Sequence, residues 1–277
     1  MEHILIESLL KKGIMMKTKF KTCAATATVI SLSVFGMQSA SADTIAIQGF
    51  WGGAGNVSSL KFSGVDYHDG NTYSFTENGG SGGFKVANLT TGGPSFQGWC
   101  VDIFHNFNFG NPGSTSDTQQ TASQIFSLLG ATRAAKIQTD LVRLYTAEHS
   151  LIDGTNSTAN NSAAFQLAIW EIVNENSSTY DLSTGGLQAG SSSTGYATAQ
   201  SWLTSLNTTP SFGAGSQYKV SFWNVNDGNG LNGGTAPPTW GAQDLAVFAP
   251  VPEPETYAML MAGLGLIGVI ARRRKAV

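Results

Sequence analysis

Two apolar runs, one near each end, decide how much of this chain can fold as a globular unit. The first extends from Cys23 to Met37, after Lys17, Lys19 and Lys21 and before Ala40-Ser41-Ala42. A basic stretch, a short apolar run and a small-residue site in that order read as an export signal peptide, residues 16–42, with Asp43 as the first mature residue. A membrane anchor is the alternative, but the run falls short of the roughly 20 apolar residues that a bilayer requires. Residues 1–15 carry two acids and two lysines without targeting logic and read as an upstream extension. The second run extends from Tyr257 to Ala271, after Val251-Pro252-Glu253-Pro254-Glu255 and before Arg272-Arg273-Arg274-Lys275. It reads as a short transmembrane helix whose basic flank stays in the cytoplasm, leaving the main domain outside.

Residues 250–277 resemble the PEP-CTERM sorting signal of Gram-negative bacteria. The resemblance rests on Pro252, Glu253 and Pro254, on a Gly-Leu-Gly-Leu core, and on the cluster of Arg272, Arg273 and Arg274. It implies that an exosortase, an integral-membrane cysteine protease, is a partner. It also implies that the protein is held at the inner membrane in transit and then delivered to the cell surface or to the extracellular polysaccharide of a biofilm.

Residues 43–249 remain, enough for one large domain or two small ones. Of the chain's 15 Lys and Arg, five precede Asp43 and four follow Pro250, leaving six against 14 acidic residues, a net charge of about −8. A domain so poor in basic side chains is excluded as a nucleic-acid binder, which needs a basic footprint. Cys23 lies in the export signal, so Cys100 is the sole cysteine of the mature domain. An exported chain with one thiol has no internal disulfide, and the leftover cysteine points to intermolecular pairing or reactivity.

Short alternating runs at Thr44–Phe50, Ser59–Tyr67, Asn71–Glu77, Gly83–Leu89 and Phe96–Phe107 predict strands, separated by Gly, Asn and Asp turns. In the last of these, alternation puts Trp99, Val101 and Ile103 on one face and Cys100, Asp102 and Phe104 on the other. The period then changes. Apolar spacing of three and four predicts helices over Ser116–Leu129, Thr132–Ser150, Ser162–Asn174 and Ala197–Leu206. Strands return at Tyr218–Val225 and Asp244–Ala249, and these closing strands are expected to pair with the opening ones. The fold class is α+β: a β-rich sheet or barrel with a helical insertion.

Two patterns carry possible chemistry. One is Trp99-Cys100-Val101-Asp102 in a strand; the other is Phe165-Gln166-Leu167-Ala168-Ile169-Trp170-Glu171 opening a helix. Taken singly, the cysteine is a small buried hydrophobe and the glutamine a solvated or capping residue. Together they resemble the Cys–Gln thioester domains of Gram-positive surface adhesins, with Phe165 standing where that family has threonine. The resemblance implies that the Cys100 thiol displaces ammonia from the Gln166 carboxamide, giving an activated acyl group for a lysine amine or a sugar hydroxyl. Such a protein reacts once and is not an enzyme. Trp99, Phe165 and Trp170 would shield the bond from water. Asp102 and Glu171 would orient the reacting groups, although a solvated strand or helix charge is the commoner role for such residues. His105 is a candidate proton carrier, or else a surface histidine at a strand end.

His68, His105 and His149 are far apart in the chain with no metal-ligand spacing, and no cofactor signature is present. The stretch Asn226-Asp227-Gly228-Asn229-Gly230 reads as a turn, since its oxygens miss the calcium-loop positions. A noncovalent polysaccharide-binding or structural matrix protein with an inert thiol is the main alternative. A secreted hydrolase, with carboxylates paired only by the fold, is the second.

Overall fold

In a computed structural model, residues 43–105, 117–154, 157–215, 217–225, 243–251 and 259–267 are described. The alternating runs of the first half fold as β1 (Ile45–Phe50), β2 (Gly55–Val65), β3 (Thr72–Ser81), β4 (Phe84–Asn88) and β5 (Phe96–Cys100). Strand β2 shows how the pattern is kept in phase. Val57 faces the core, then a bulge at Ser58 and Ser59 shifts the phase by one residue, so Leu60 and Phe62 face inward as well. Without that bulge half of the strand would turn its apolar side chains to solvent.

After β6 (Thr118–Gln120) come a one-turn helix α1 (Ala122–Ile125), a 3-10 turn at Ser127–Leu129, α2 (Ala131–Ile152) and α3 (Ala159–Asn174). The chain continues through β7 (Leu187–Gln188), α4 (Tyr196–Thr208), β8 (Tyr218–Asn224) and β9 (Leu245–Pro250). One sheet runs β1-β4-β5-β9-β8-β6, and a smaller one runs β3-β2-β7. The larger sheet curls toward a barrel, because Asp43 beside β1 and Asp117 beside β6 meet in an antiparallel bridge across its two edges. The closing strand β9 lies between β8 and β5, with Trp99 opposite Ala246 and Cys100 opposite Leu245. The α+β class and the return of the last strands to the sheet follow the sequence expectation.

Two elements differ from it. The helix expected from Ser116 to Leu129 starts only at Ala122, where the apolar residues begin. The polar Thr118–Gln120 pairs with β8 instead, and the Thr121 N–H donates to Gln124 Oε1 at 2.8 Å to open the short helix. The strand expected over Phe96–Phe107 ends at Cys100. From Trp99 to Phe104 every residue is buried, so two-faced alternation fails there. The cause is local: Asp102 Oδ1 accepts the Phe104 N–H at 2.7 Å, an Asx turn that bends the chain into the interior. The two-residue β7 was not signalled in the sequence.

Helix α3 is the axis of the domain. Thr158 caps its start by accepting the Asn161 N–H at 3.1 Å. Residues Ser162 to Asn174 are all buried, Gln166, Glu171 and Asn174 included, where the sequence pointed to a solvated side. At its end Arg133 Nη2 donates to the carbonyls of Ile172 and Val173, each at 3.0 Å. Helix α4 approaches α3 closely through Gly195 (φ +80°), where a Cβ would sit 2.5 Å from Ala164 N and 2.7 Å from Asn160 O. Gly195→Ala is therefore expected to cost on the order of 2–4 kcal/mol, as urea denaturation would measure, since neither backbone can yield.

Residues 259–267 are helical, with Met259, Leu260, Met261, Leu264, Leu266 and Ile267 exposed. Among the described residues no helix is long and apolar enough to cross a membrane. The export signal, Pro252, Glu253, Pro254, Arg272, Arg273, Arg274 and the 226–230 turn lie outside the described residues.

Candidate functional site

Strand β4 pairs with β5 only from Val86 opposite Phe96 to Phe84 opposite Gly98. Beyond Phe84 that edge of β5 belongs to the side chain of Gln166, projecting from α3. Cys100 N–H donates to Gln166 Oε1 at 3.1 Å, and Gln166 Nε2 donates to Cys100 O at 2.6 Å. The carboxamide thus completes the ladder where a neighbouring strand has turned away. Both residues are buried, Cys100 at 0% and Gln166 at 1% exposure. The thiol donates to Asp102 O at 2.7 Å. Burial pushes its pKa well above the ordinary value, the Asp102 charge adds to that, and the Trp170 indole N–H opposes it.

Aromatic side chains close the site. Trp99 lies edge-on to Phe165 with ring centroids 4.6 Å apart, and both are fully buried. Toward the surface a cavity of about 170 Å³ reaches Gln166 and Trp170, walled by Phe84, Ile103, His105 and Gln243, with Glu77 and Asn78 among its lining. Two buried polar atoms on residues lining it, Ser81 Oγ and Gln243 Oε1, have no hydrogen-bond partner among the described residues.

A charged cluster adjoins the cysteine. Asp66 Oδ1 meets His68 Nδ1 at 2.7 Å; Asp244 Oδ2 and Asp102 Oδ2 lie 3.1 and 3.5 Å from His68 Nε2. Asp102 Oδ2 also meets His105 Nδ1 at 2.6 Å, and the two imidazoles stand perpendicular with centroids 4.9 Å apart. Burial pulls the His68 pKa down, but the Asp102 charge and the bonds to Asp244 and Asp66 override it and hold the imidazole up to about 11. His105 is raised, since its bond to Asp102 outweighs burial. Asp102 is lowered against its burial by His68 and His105, whereas burial dominates at Asp244 and raises it.

The sequence candidates therefore separate into two groups. Trp99, Cys100, Asp102, Phe165, Gln166 and Trp170 come together. Asp102 is not a solvated strand charge but fully buried, and His105 is a partly buried partner of Asp102 rather than a free surface histidine. Glu171 is buried too, yet it serves the other side of α3, where its Oε1 accepts the Asp181 N–H at 2.7 Å. Sequence reasoning set His68 aside as remote from His105, whereas the fold brings the two rings together, and it missed Asp66, Gln243 and Asp244. An available signal was an acid two or three residues before a histidine in Asp66-Tyr67-His68 and again in Asp102-Ile103-Phe104-His105.

Residues 250–275 match the PEP-CTERM protein-sorting motif. The chain carries an exosortase sorting tail. It is accordingly an exported protein that passes through the membrane on its way to the cell surface, and an exosortase is its processing partner. Comparison with curated proteins gave no match. Among solved structures, the chain is similar to the N-terminal domain of the pilus tip adhesin Cpa of Streptococcus pyogenes. That likeness has 15% identity and a TM-score of 0.39 over 74% of this chain and 96% of the other, too loose to carry function across.

Proposed function

We propose that this exported protein attaches covalently to its surroundings through a Cys100–Gln166 thioester. The observation that supports the reading is the clasp between the Gln166 carboxamide and the Cys100 main chain, at 3.1 and 2.6 Å, inside an aromatic shell. In the forming step Sγ bonds to the Gln166 carbonyl carbon, the carbon–nitrogen bond breaks, and the nitrogen leaves as ammonia with the thiol hydrogen. Negative charge gathers on Oε1, the atom already facing the Cys100 N–H, so that donor is aimed where the charge develops.

An incoming amine or hydroxyl then takes the acyl group and releases the thiol. The cavity over Gln166 and Trp170 is the route for that nucleophile. On this reading the protein is a single-use adhesin and not a turnover enzyme. Its targets are polysaccharide hydroxyls or surface-protein amines in the matrix around a Gram-negative cell, and its C-terminal helix holds it in the membrane until the tail is processed.

One observation favours a second reading, a noncovalent matrix-binding protein. The thiol is bonded to Asp102 O, and Gln166 has a sufficient structural task in completing the β5 ladder. Intact mass separates the two. The covalent reading expects the freshly purified protein to lack about 17 Da, the ammonia lost in acyl transfer. The deficit should vanish in Cys100→Ala and Gln166→Ala, and methylamine should convert it to a gain. Full calculated mass with a titratable thiol would leave the noncovalent module.

A further inference from the structure

We propose that His68, His105, Asp102 and Asp244 form a binding site for a divalent transition-metal ion of the zinc class. Three segments remote in sequence deliver four potential ligand atoms to one point. His68 Nε2 lies 3.1 Å from Asp244 Oδ2 and 3.5 Å from Asp102 Oδ2, while His105 Nδ1 lies 2.6 Å from the same Asp102 oxygen. One such atom from each of His68, Asp102 and His105 falls within 4.8 Å of the others. Ligand bonds of 2.0–2.2 Å in a tetrahedron put neighbouring ligand atoms about 3.3 Å apart. The separations of 3.1 and 3.5 Å from His68 Nε2 lie on either side of that value. The third requires His105, the ring nearest solvent at 16% side-chain exposure, to withdraw by a fraction of an ångström.

Outer contacts fix this set as they fix known metal ligands. Asp66 Oδ1 holds His68 Nδ1 at 2.7 Å, which fixes the ring with Nε2 facing Asp244 and Asp102. The second oxygens of the inner carboxylates are occupied as well, Asp102 Oδ1 by the Phe104 N–H at 2.7 Å and Asp244 Oδ1 by the Val225 N–H at 3.0 Å. With Nε2 facing two carboxylate oxygens, a positive charge is needed between them. A proton on Nε2 serves one oxygen well, whereas a metal ion serves both together with His105. Two imidazoles and two carboxylates suit zinc, with manganese and ferrous iron next, and lack the thiolates that copper(I) prefers. Cys100 is bonded to Asp102 O and is not a ligand, so the site stands whether or not the thioester forms.

The test is metal content and affinity of the full chain in detergent, without a histidine tag, equilibrated against zinc and, separately, cobalt(II). One zinc per chain is expected, with a cobalt spectrum typical of four nitrogen and oxygen ligands. Asp66→Asn, which alters only the outer partner, should weaken zinc about 10- to 100-fold. His68→Gln and His105→Gln should each abolish stoichiometric binding while circular dichroism stays native. Should a histidine variant fail to fold, the wild-type stoichiometry, the cobalt spectrum and Asp66→Asn decide the matter. A folded wild type that retains no metal, or binding that Asp66→Asn and the histidine variants leave unchanged, overturns the proposal. The first of those results would mean that a proton alone holds the cluster together.

Discussion

Gln166→Leu is expected to destabilise the domain by about 2–6 kcal/mol, from roughly 1–3 for each buried main-chain group left without a partner. The side chain supplies an acceptor to Cys100 N–H and a donor to Cys100 O, in a place where β4 no longer reaches β5. Leucine fills similar space and offers neither. Gln166→Glu provides the contrast. It keeps the shape and the acceptor, but sets an oxygen where a donor now stands 2.6 Å from Cys100 O, so that variant needs a proton on its carboxyl. Urea midpoints, taken in a Cys100→Ala background so that the amide stays intact, should therefore rank Gln166 above Gln166→Glu above Gln166→Leu, with the middle variant recovering as pH falls. Equal stability of all three would mean that the clasp contributes nothing to the fold. Cys100→Ala bears on a different question, since it keeps the main-chain groups that Gln166 serves and removes only the sulfur.

The sequence was most informative where one physical signal acted alone. Helix α3 was legible from Ser162 to Asn174 because Phe165, Leu167, Ala168, Ile169, Ile172 and Val173 recur at helical spacing, although its full burial was not. Its true start at Ala159 depends on the Thr158 cap, which hydrophobic spacing does not report. The opening strands were legible by alternation, but the β2 bulge could not be seen, since Ser58 and Ser59 look like any polar pair on a strand. The segment before α1 misled because its polar residues fit a helix and an edge strand equally well. Pairing with β8 decided between them, and that pairing is remote in the chain.

The site was half legible for a similar reason. Cys100 and Gln166 were found because each stands in a distinctive local string, and the fold brings them into contact across a separation that no spacing rule covers. Asp102 was found for its nearness to Cys100 but was weighed as a surface charge. What makes it a buried one is the turn after Cys100, together with partners at 66–68 and 243–244 that the linear sequence scatters. Burial of three carboxylates beside two imidazoles is a property of the tertiary contact alone. The same holds for Glu171, whose position on α3 was clear but whose environment was not.

That environment makes stability depend on pH in a way one substitution can isolate. Burial raises the Glu171 pKa from 4.5 to about 8 and Glu175 adds to it, against the opposing Asp181 N–H bond and the Arg133 charge. The folded chain therefore holds a proton on Glu171 that the unfolded chain releases at lower pH. Its contribution is fully present below pH 4.5 and is lost as pH rises toward 8, a loss on the order of 5 kcal/mol across that window. Glu171→Gln imitates the protonated form, with its carbonyl able to accept from Asp181 N as Oε1 does. The variant should match the wild type at the acid end and exceed it at the alkaline end, and the difference between their urea midpoints should grow steadily between the two. Other carboxyls raised by burial, Glu148 and Asp153 among them, tilt both proteins equally and cancel in that difference. A constant offset at every pH would show that the Glu171 carboxyl is ionised in the folded domain, with its charge met by Arg133.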